Sequence, residues 1–96
     1  MYFLITCRDR PGVLERRMAL RPEHLDYWQG LGEAVKLGGP QLLDDQPCGS
    51  FFLVDAADLA AAHAIAERDP FAREGIFAQI DVAATRLTLG GWRPAD

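Results

Sequence analysis

Apolar residues gather in five short extended stretches and recur at helical spacing in two longer ones. Tyr2-Phe3-Leu4-Ile5-Thr6-Cys7 is β-branched and aromatic with no breaker, which predicts a first strand. Nearly every position in it is apolar, the pattern of a strand covered on both faces. Arg8-Asp9-Arg10-Pro11-Gly12 marks a turn. Val13 to Leu20 suits a short helix, which Arg21-Pro22 is expected to break, because the residue before proline avoids the α region. The main first helix is then expected to open at Pro22 and run to about Lys36. It places His24, Leu25, Trp28, Leu31, Gly32 and Val35 on one face.

Lys36 to Leu43 predicts a second strand, interrupted by Gly38-Gly39-Pro40 and therefore at an edge or bulge. Residues 44–49 form a polar hairpin loop, and Ser50-Phe51-Phe52-Leu53-Val54 is the clearest strand. Asp55 or Asp58 can cap a second helix through Leu59, Ala62, Ile65 and Ala66 to about Arg68, ended by Asp69-Pro70. Ile76 to Ala83 alternates as a fourth strand, and Thr85 to Leu89 reads as a fifth strand or an extension. Residues 1–92 make one domain and 93–96 a loose tail. The order β-α-β-β-α-β predicts an α+β, ferredoxin-like sandwich with an extra C-terminal strand. Its two helices cover one face of an antiparallel sheet. The other face is apolar too, and a second copy of the same sheet is its simplest cover, so a homodimer through the sheet is expected.

Composition narrows the function classes. A chain of 96 residues with net charge −4 is not built as a general nucleic-acid binder. Lys36 is its only lysine, so its cations are arginines, the better clamps for carboxylate or phosphate. The apolar start is too short for a signal peptide or a membrane span, so no membrane partner is expected. Cys7 and Cys48 form no C-x-x-C and no zinc spacing, which fits a reduced, cytoplasmic chain. His24, His63 and two distant cysteines make no metal constellation, and no glycine-rich phosphate motif occurs. No metal and no cofactor are therefore expected.

The topology brings two titratable groups to one rim. The first helix starts where the first strand ends, and the second helix finishes at that same end. His24 and Asp69 should therefore converge. A carboxylate beside an imidazole fixes its tautomer and stabilises its protonated form, the wiring of a general base. The same residues suit plainer roles, a half-buried histidine and an N-cap before Pro70. Arg8, Arg10, Arg16, Arg17 and Arg21, against Asp9 and Glu15, make a positive rim. It is either a solvated loop with local ion pairs or an anchor for an anionic small molecule. Cys7 reads as a buried thiol and His63 as packing or surface.

Arg16 followed by Arg21-Pro22-Glu23-His24-Leu25, then Gly39-Pro40, then Asp69-Pro70-Phe71 with Gly75-Ile76 resembles the YciI-like (YCII-related) family over most of the chain. The hairpin at 44–49 is shorter than is usual there. The resemblance implies a dimeric α/β-barrel of ferredoxin-like subunits. It implies a catalytic His–Asp pair at His24 and Asp69, with Arg16, Arg21, Gly39, Pro40 and Phe71 as substrate-binding positions. Some members are linked to breakdown of chlorinated aromatics, the pair acting in dehydrochlorination. The expected function is cofactor-independent proton transfer, elimination or isomerisation, on a small anionic or aromatic substrate. Asp9-Arg10-Pro11-Gly12-Val13-Leu14 after a strand also resembles the opening of an ACT domain, which would make the chain a binding module without turnover. There the Pro-Gly turn leads into one unbroken helix, whereas Arg21-Pro22 is expected to interrupt it here.

Overall fold

In the computed structural model, which describes residues 1–94, β1 (Tyr2–Asp9) pairs on both sides. The remaining elements are α1 (Leu14–Gly30), β2 (Val35–Leu43), β3 (Gln46–Asp55), α2 (Leu59–Glu67), α3 (Pro70–Arg73) and β4 (Phe77–Thr85). The sheet order is β2-β3-β1-β4 with every neighbour antiparallel, the ferredoxin-like arrangement. Side chains alternate across a strand, so register decides what is buried. Phe3, Ile5 and Cys7 align with Val54, Phe52 and Ser50 on one side, and with Ala84, Val82 and Ile80 on the other. That face lies under the helices and carries the core. Leu4 and Thr6 align with Leu53 and Phe51 on the opposite face, which no helix covers. β1 is thus central in the sheet yet covered by helices on one face only, and Leu4 stays 41% exposed.

Three local expectations change. First, α1 runs unbroken through Pro22. A proline inside a helix costs about 3 kcal/mol. The cost is overridden because Arg17, His24 and Trp28 form one buried stripe that spans the proline and is bonded to the rest of the fold. α1 then stops at Gly30, and a short 3-10 turn at Gly32–Ala34 delivers Val35 to β2, so the helix does not reach Lys36. Second, the β2–β3 connection is a two-residue turn. Asp44 and Asp45 both sit at positive φ, as primed hairpin turns require, and Leu43 already pairs with Gln46. Pro47 to Gly49 belong to β3. Third, no fifth strand forms among the described residues. Pairing of β4 with β1 ends at Thr85 opposite Tyr2, so an extension of β4 past Thr85 runs out of partner on β1. The following segment instead passes over the helix-free face, where Leu87 and Trp92 share a hollow with Leu37 and Leu53.

Asp58 caps α2, its carboxylate accepting from the Ala61 N–H at 2.8 Å. Ala62 and Ala66 of α2 are buried, their small side chains letting the helix lie close on β1 and β4. The Tyr27 hydroxyl donates to the Ile65 carbonyl at 2.5 Å and ties α1 to α2.

Cys7 is 2% exposed, and burial pushes its thiol from 9.0 up to about 12. Between those values the unfolded chain carries a thiolate that the folded one excludes. Stability is therefore expected to decline as pH rises from 9 toward 12. Cys7→Ala should flatten that decline in urea unfolding midpoints measured across the alkaline range. A Cys7 that reacts with iodoacetamide in the native protein as fast as half-buried Cys48 would contradict this account.

Candidate active site

The buried stripe of α1 aims at the corner between α2 and α3. Asp69 stands at that corner, fully buried, with its carboxylate capping α3 by accepting from the Phe71 N–H at 2.9 Å. The same carboxylate faces His24, whose Nδ1 lies 2.8 Å from Oδ1 and 3.0 Å from Oδ2. Trp28 Nε1 donates to Oδ2 at 2.9 Å. An indole N–H and a backbone N–H can only donate, so Asp69 accepts throughout and His24 Nδ1 carries the proton in their shared bond. Among the described residues Nε2 has no hydrogen-bond partner, and the His24 ring lines a cavity.

That cavity holds about 390 Å³. Its walls are aromatic. His24 stacks on Phe71 with centroids 3.9 Å apart and planes at 12°, and Trp28 stacks on Phe52 at 3.6 Å and 6°. Its mouth is made by edge strand β2, where Gly38, Gly39 and Pro40 put almost no side chain over Phe52. Pro40 aligns with Ser50 and has no N–H to offer it, and the Ser50 carbonyl accepts from Gln41 Nε2 at 3.3 Å. Exposed Arg21 supplies a cation to the lining. A larger hollow of about 680 Å³ lies along the rim, lined by Thr6, Arg8, Asp9, Gln79 and Asp81 among others. It contains no histidine, whereas His24 lines the smaller one.

The convergence of His24 and Asp69 expected from topology is present, and Asp69 both caps a helix and holds the imidazole. Arg21, Gly39, Pro40 and Phe71 line the cavity with His24, while Asp69 stands behind it. Arg16 does not line it. Its guanidinium reaches outward to the Glu74 carbonyl at 2.6 Å.

A second arginine of the lining is Arg17, which the sequence places among the rim charges. It is 4% exposed and places Nη1 2.7 and 2.8 Å from the two Asp9 oxygens. Its Nη2 donates to the Gly49 carbonyl at 3.0 Å and to Ser50 Oγ at 2.8 Å. Its guanidinium lies 4.6 Å from the Phe71 ring centre. Burial pushes the Asp9 carboxyl above its ordinary range, and Arg17 pulls it back only in part. Gly49 must be glycine here, because a Cβ would overlap the Cys7 carbonyl on β1. The signal for Arg17 was its spacing, seven residues before His24 on the same helical face. That face is visible only once the helix is known to cross Pro22. Among the described residues no cluster of His, Cys, Asp and Glu is placed to hold a metal ion, and no helix is long and apolar enough to cross a membrane.

A model of the YCII-related domain matches residues 1–86. An uncharacterised protein of Haemophilus influenzae is 31% identical over 91 residues, covering 85% of this chain and 93% of the relative. Protein YciI of Escherichia coli O6:H1 is 30% identical over the same spans. Among solved structures, a 5-chloro-2-hydroxyhydroquinone dehydrochlorinase from Burkholderia phenoliruptrix, in complex with 2,5-dihydroxybenzoquinone, superposes with TM-score 0.83 at 36% identity. The match covers 90% of this chain and 94% of that one. A putative antibiotic biosynthesis monooxygenase from a Bacteroides species shares the fold alone, at TM-score 0.55 and 23% identity, covering 94% and 91%. The unbroken α1 removes one of the distinctions from ACT domains. The family match decides between them.

Proposed function

Because the chain belongs to the YCII-related domain family, we propose that it is a small, cofactor-independent enzyme in which the His24–Asp69 pair moves a proton on an aromatic or anionic substrate. One observation carries this reading: Asp69 holds Nδ1, so the unpartnered Nε2 is offered to an apolar cavity. There Nε2 takes a proton from the substrate, and Asp69 stabilises the imidazolium that forms. In an elimination, the electron pair left behind forms the new double bond and expels a leaving group such as chloride. The imidazolium then returns its proton to solvent. In an isomerisation, it returns the proton to a different atom of the same substrate. The stacked rings accept a flat substrate on their faces, and Arg21 attracts its anionic group. The similarity to a dehydrochlorinase supports elimination from a chlorinated hydroxylated ring.

Thermal-shift screening with chlorinated hydroquinones and hydroxylated quinones tests this, followed by chloride release from each hit. A ligand at a hundred times its Kd adds about 2.7 kcal/mol of stability. Hits turned over with chloride release or ring isomerisation are expected. Ligands bound without turnover would replace the enzyme by a binding protein.

The same proposal includes a homodimer through the helix-free sheet face, where Leu4 lies opposite Leu53 and Thr6 opposite Phe51. Stable interfaces bury about 1,200–2,000 Å² in total. Sedimentation at micromolar concentration should give a dimer, and Leu4→Glu a folded monomer. A wild-type monomer would remove this part of the proposal.

A further inference from the structure

We infer that Gly38, Phe52 and Trp28 form a brace that positions Asp69 and, through it, the His24 base. The catalytic consequence rests on the proton-transfer role proposed above. The brace itself stands on geometry. Trp28 Nε1 is one of the N–H groups that fix the Asp69 carboxylate, and it shares Oδ2 with His24 Nδ1. The Trp28 ring lies on Phe52 at 3.6 Å and 6°, which is contact distance and leaves no slack. Both rings are buried, at 6% and 4% exposure. Phe52 also neighbours Gly38, its partner in the β2–β3 register. A Cβ at Gly38 would stand 2.5 Å from Phe52 Cδ1 and 3.3 Å from Cε1.

Gly38 is exposed on an edge strand, where glycine is the less stable choice than alanine. Its φ does not demand glycine either, since it is not among the positive-φ residues. What demands it is the Phe52 ring. Any side chain there pushes Phe52 onto Trp28, and Trp28 can yield only by withdrawing Nε1 from Asp69. With that donor gone the carboxylate is free to turn, and His24 loses its fixed orientation. Trp28, Phe52 and Gly38 are thus positioning residues, and none of them needs to touch the reacting atoms.

The test reads the brace without a substrate, by NMR on the full-length protein. In Gly38→Ala, hydrogen exchange of the Trp28 indole N–H should accelerate roughly tenfold or more, as expected for a lost hydrogen bond to a charged acceptor. The His24 ring nitrogens should shift with it. Adding Phe52→Val, which has no Cδ or Cε atoms, removes the obstructing part of the ring and should restore both signals toward those of Phe52→Val alone. Trp28→Phe keeps a ring on Phe52 but has no N–H, and should move the His24 nitrogens from a single Nδ1–H tautomer toward a mixture. If Gly38→Ala does not fold, the double variant and Trp28→Phe decide alone. Unchanged indole exchange in a folded Gly38→Ala would overturn the inference, showing that β2 bends away instead. So would a double variant that stays perturbed, which would place the clash at the Phe51 carbonyl, 2.9 Å from the added Cβ. His24 nitrogens that stay the same in Trp28→Phe would overturn it as well. Turnover, once a substrate is in hand, fails separately: an intact brace with no activity in His24-containing protein removes the enzyme reading and leaves the brace.

Discussion

Asp69→Asn is expected to lower turnover about 10²–10⁴-fold, and His24→Ala by a similar factor. The reason is a matter of donors. Asp69 accepts from the Phe71 N–H, from Trp28 Nε1 and from His24 Nδ1. An asparagine has one accepting oxygen and one donating NH₂. If its oxygen stays on the Phe71 N–H, its NH₂ points at two other donors. His24 can relieve the conflict by moving its proton to Nε2, which leaves the cavity facing an N–H in place of a base. A wrong tautomer of this kind is the known fate of a triad histidine whose carboxylate becomes an amide. The indole N–H cannot adapt, so Asp69→Asn should also lose about 1–3 kcal/mol of stability. His24→Ala removes the base without that conflict. The two substitutions should be strongly non-additive, since a base and its orienting partner act as a unit. Steady-state kinetics on both singles and the double variant, alongside urea unfolding, checks this. Specific activity unchanged in the folded fraction of each single variant would make the pair structural.

Arg17→Met is expected to destabilise the fold more than any other single change discussed, by about 3–5 kcal/mol. It leaves the Asp9 carboxylate buried without its cation, and deprives Ser50 Oγ and the Gly49 carbonyl of a donor. For a domain of this size each kcal/mol moves Tm by roughly 4–8 °C, so melting should fall by well over ten degrees. Asp9→Leu combined with Arg17→Met should recover much of the loss, because no unpaired charge is left behind. Arg16→Ala, one residue away, should stay within about 0.5 kcal/mol, since Arg16 is exposed and bonds only to the Glu74 carbonyl. Calorimetry on the four proteins checks the order. An Arg17→Met variant as stable as Arg16→Ala would mean that the buried pair gives the fold nothing over a hydrophobic replacement.

What could be read from the sequence followed from local chemistry. β1 and β3 are dense in aromatic and β-branched residues, and Asp58 ahead of an alanine-rich stripe marked α2. The His24–Asp69 meeting followed from connectivity alone, because element order fixes which helix ends share a rim. Local rules failed where tertiary bonds outweighed them. Arg21-Pro22 looked like a break, but the stripe of Arg17, His24 and Trp28 is anchored on both sides of it. Arg17 belongs to that stripe only because the helix is continuous. The helical spacing places Trp28 in the core, where it lies; its second role as a donor to Asp69 depends on the rotation of one ring. The ladder of β2 with β3 begins at Leu43 opposite Gln46, where composition suggested a loop. A pair of aspartates in left-handed conformation turns the chain in two residues.

The division of labour between edge and interior bears on how such a protein can be altered. Asp69, Trp28 and Phe52 beside His24 are buried in the interior, while much of the cavity mouth comes from exposed or half-buried positions such as Met18, Arg21, Leu25, Pro40 and Pro47. Exposed substitutions of this kind usually change stability by less than about 0.5 kcal/mol. Shape and charge at the entrance can therefore be rewritten while folding and the His24–Asp69 pair stay as they are. A library confined to those five positions, selected for binding of differently substituted rings, would explore ligand preference at little expense to the scaffold. One adjoining position, Gly38, has to be left out of it.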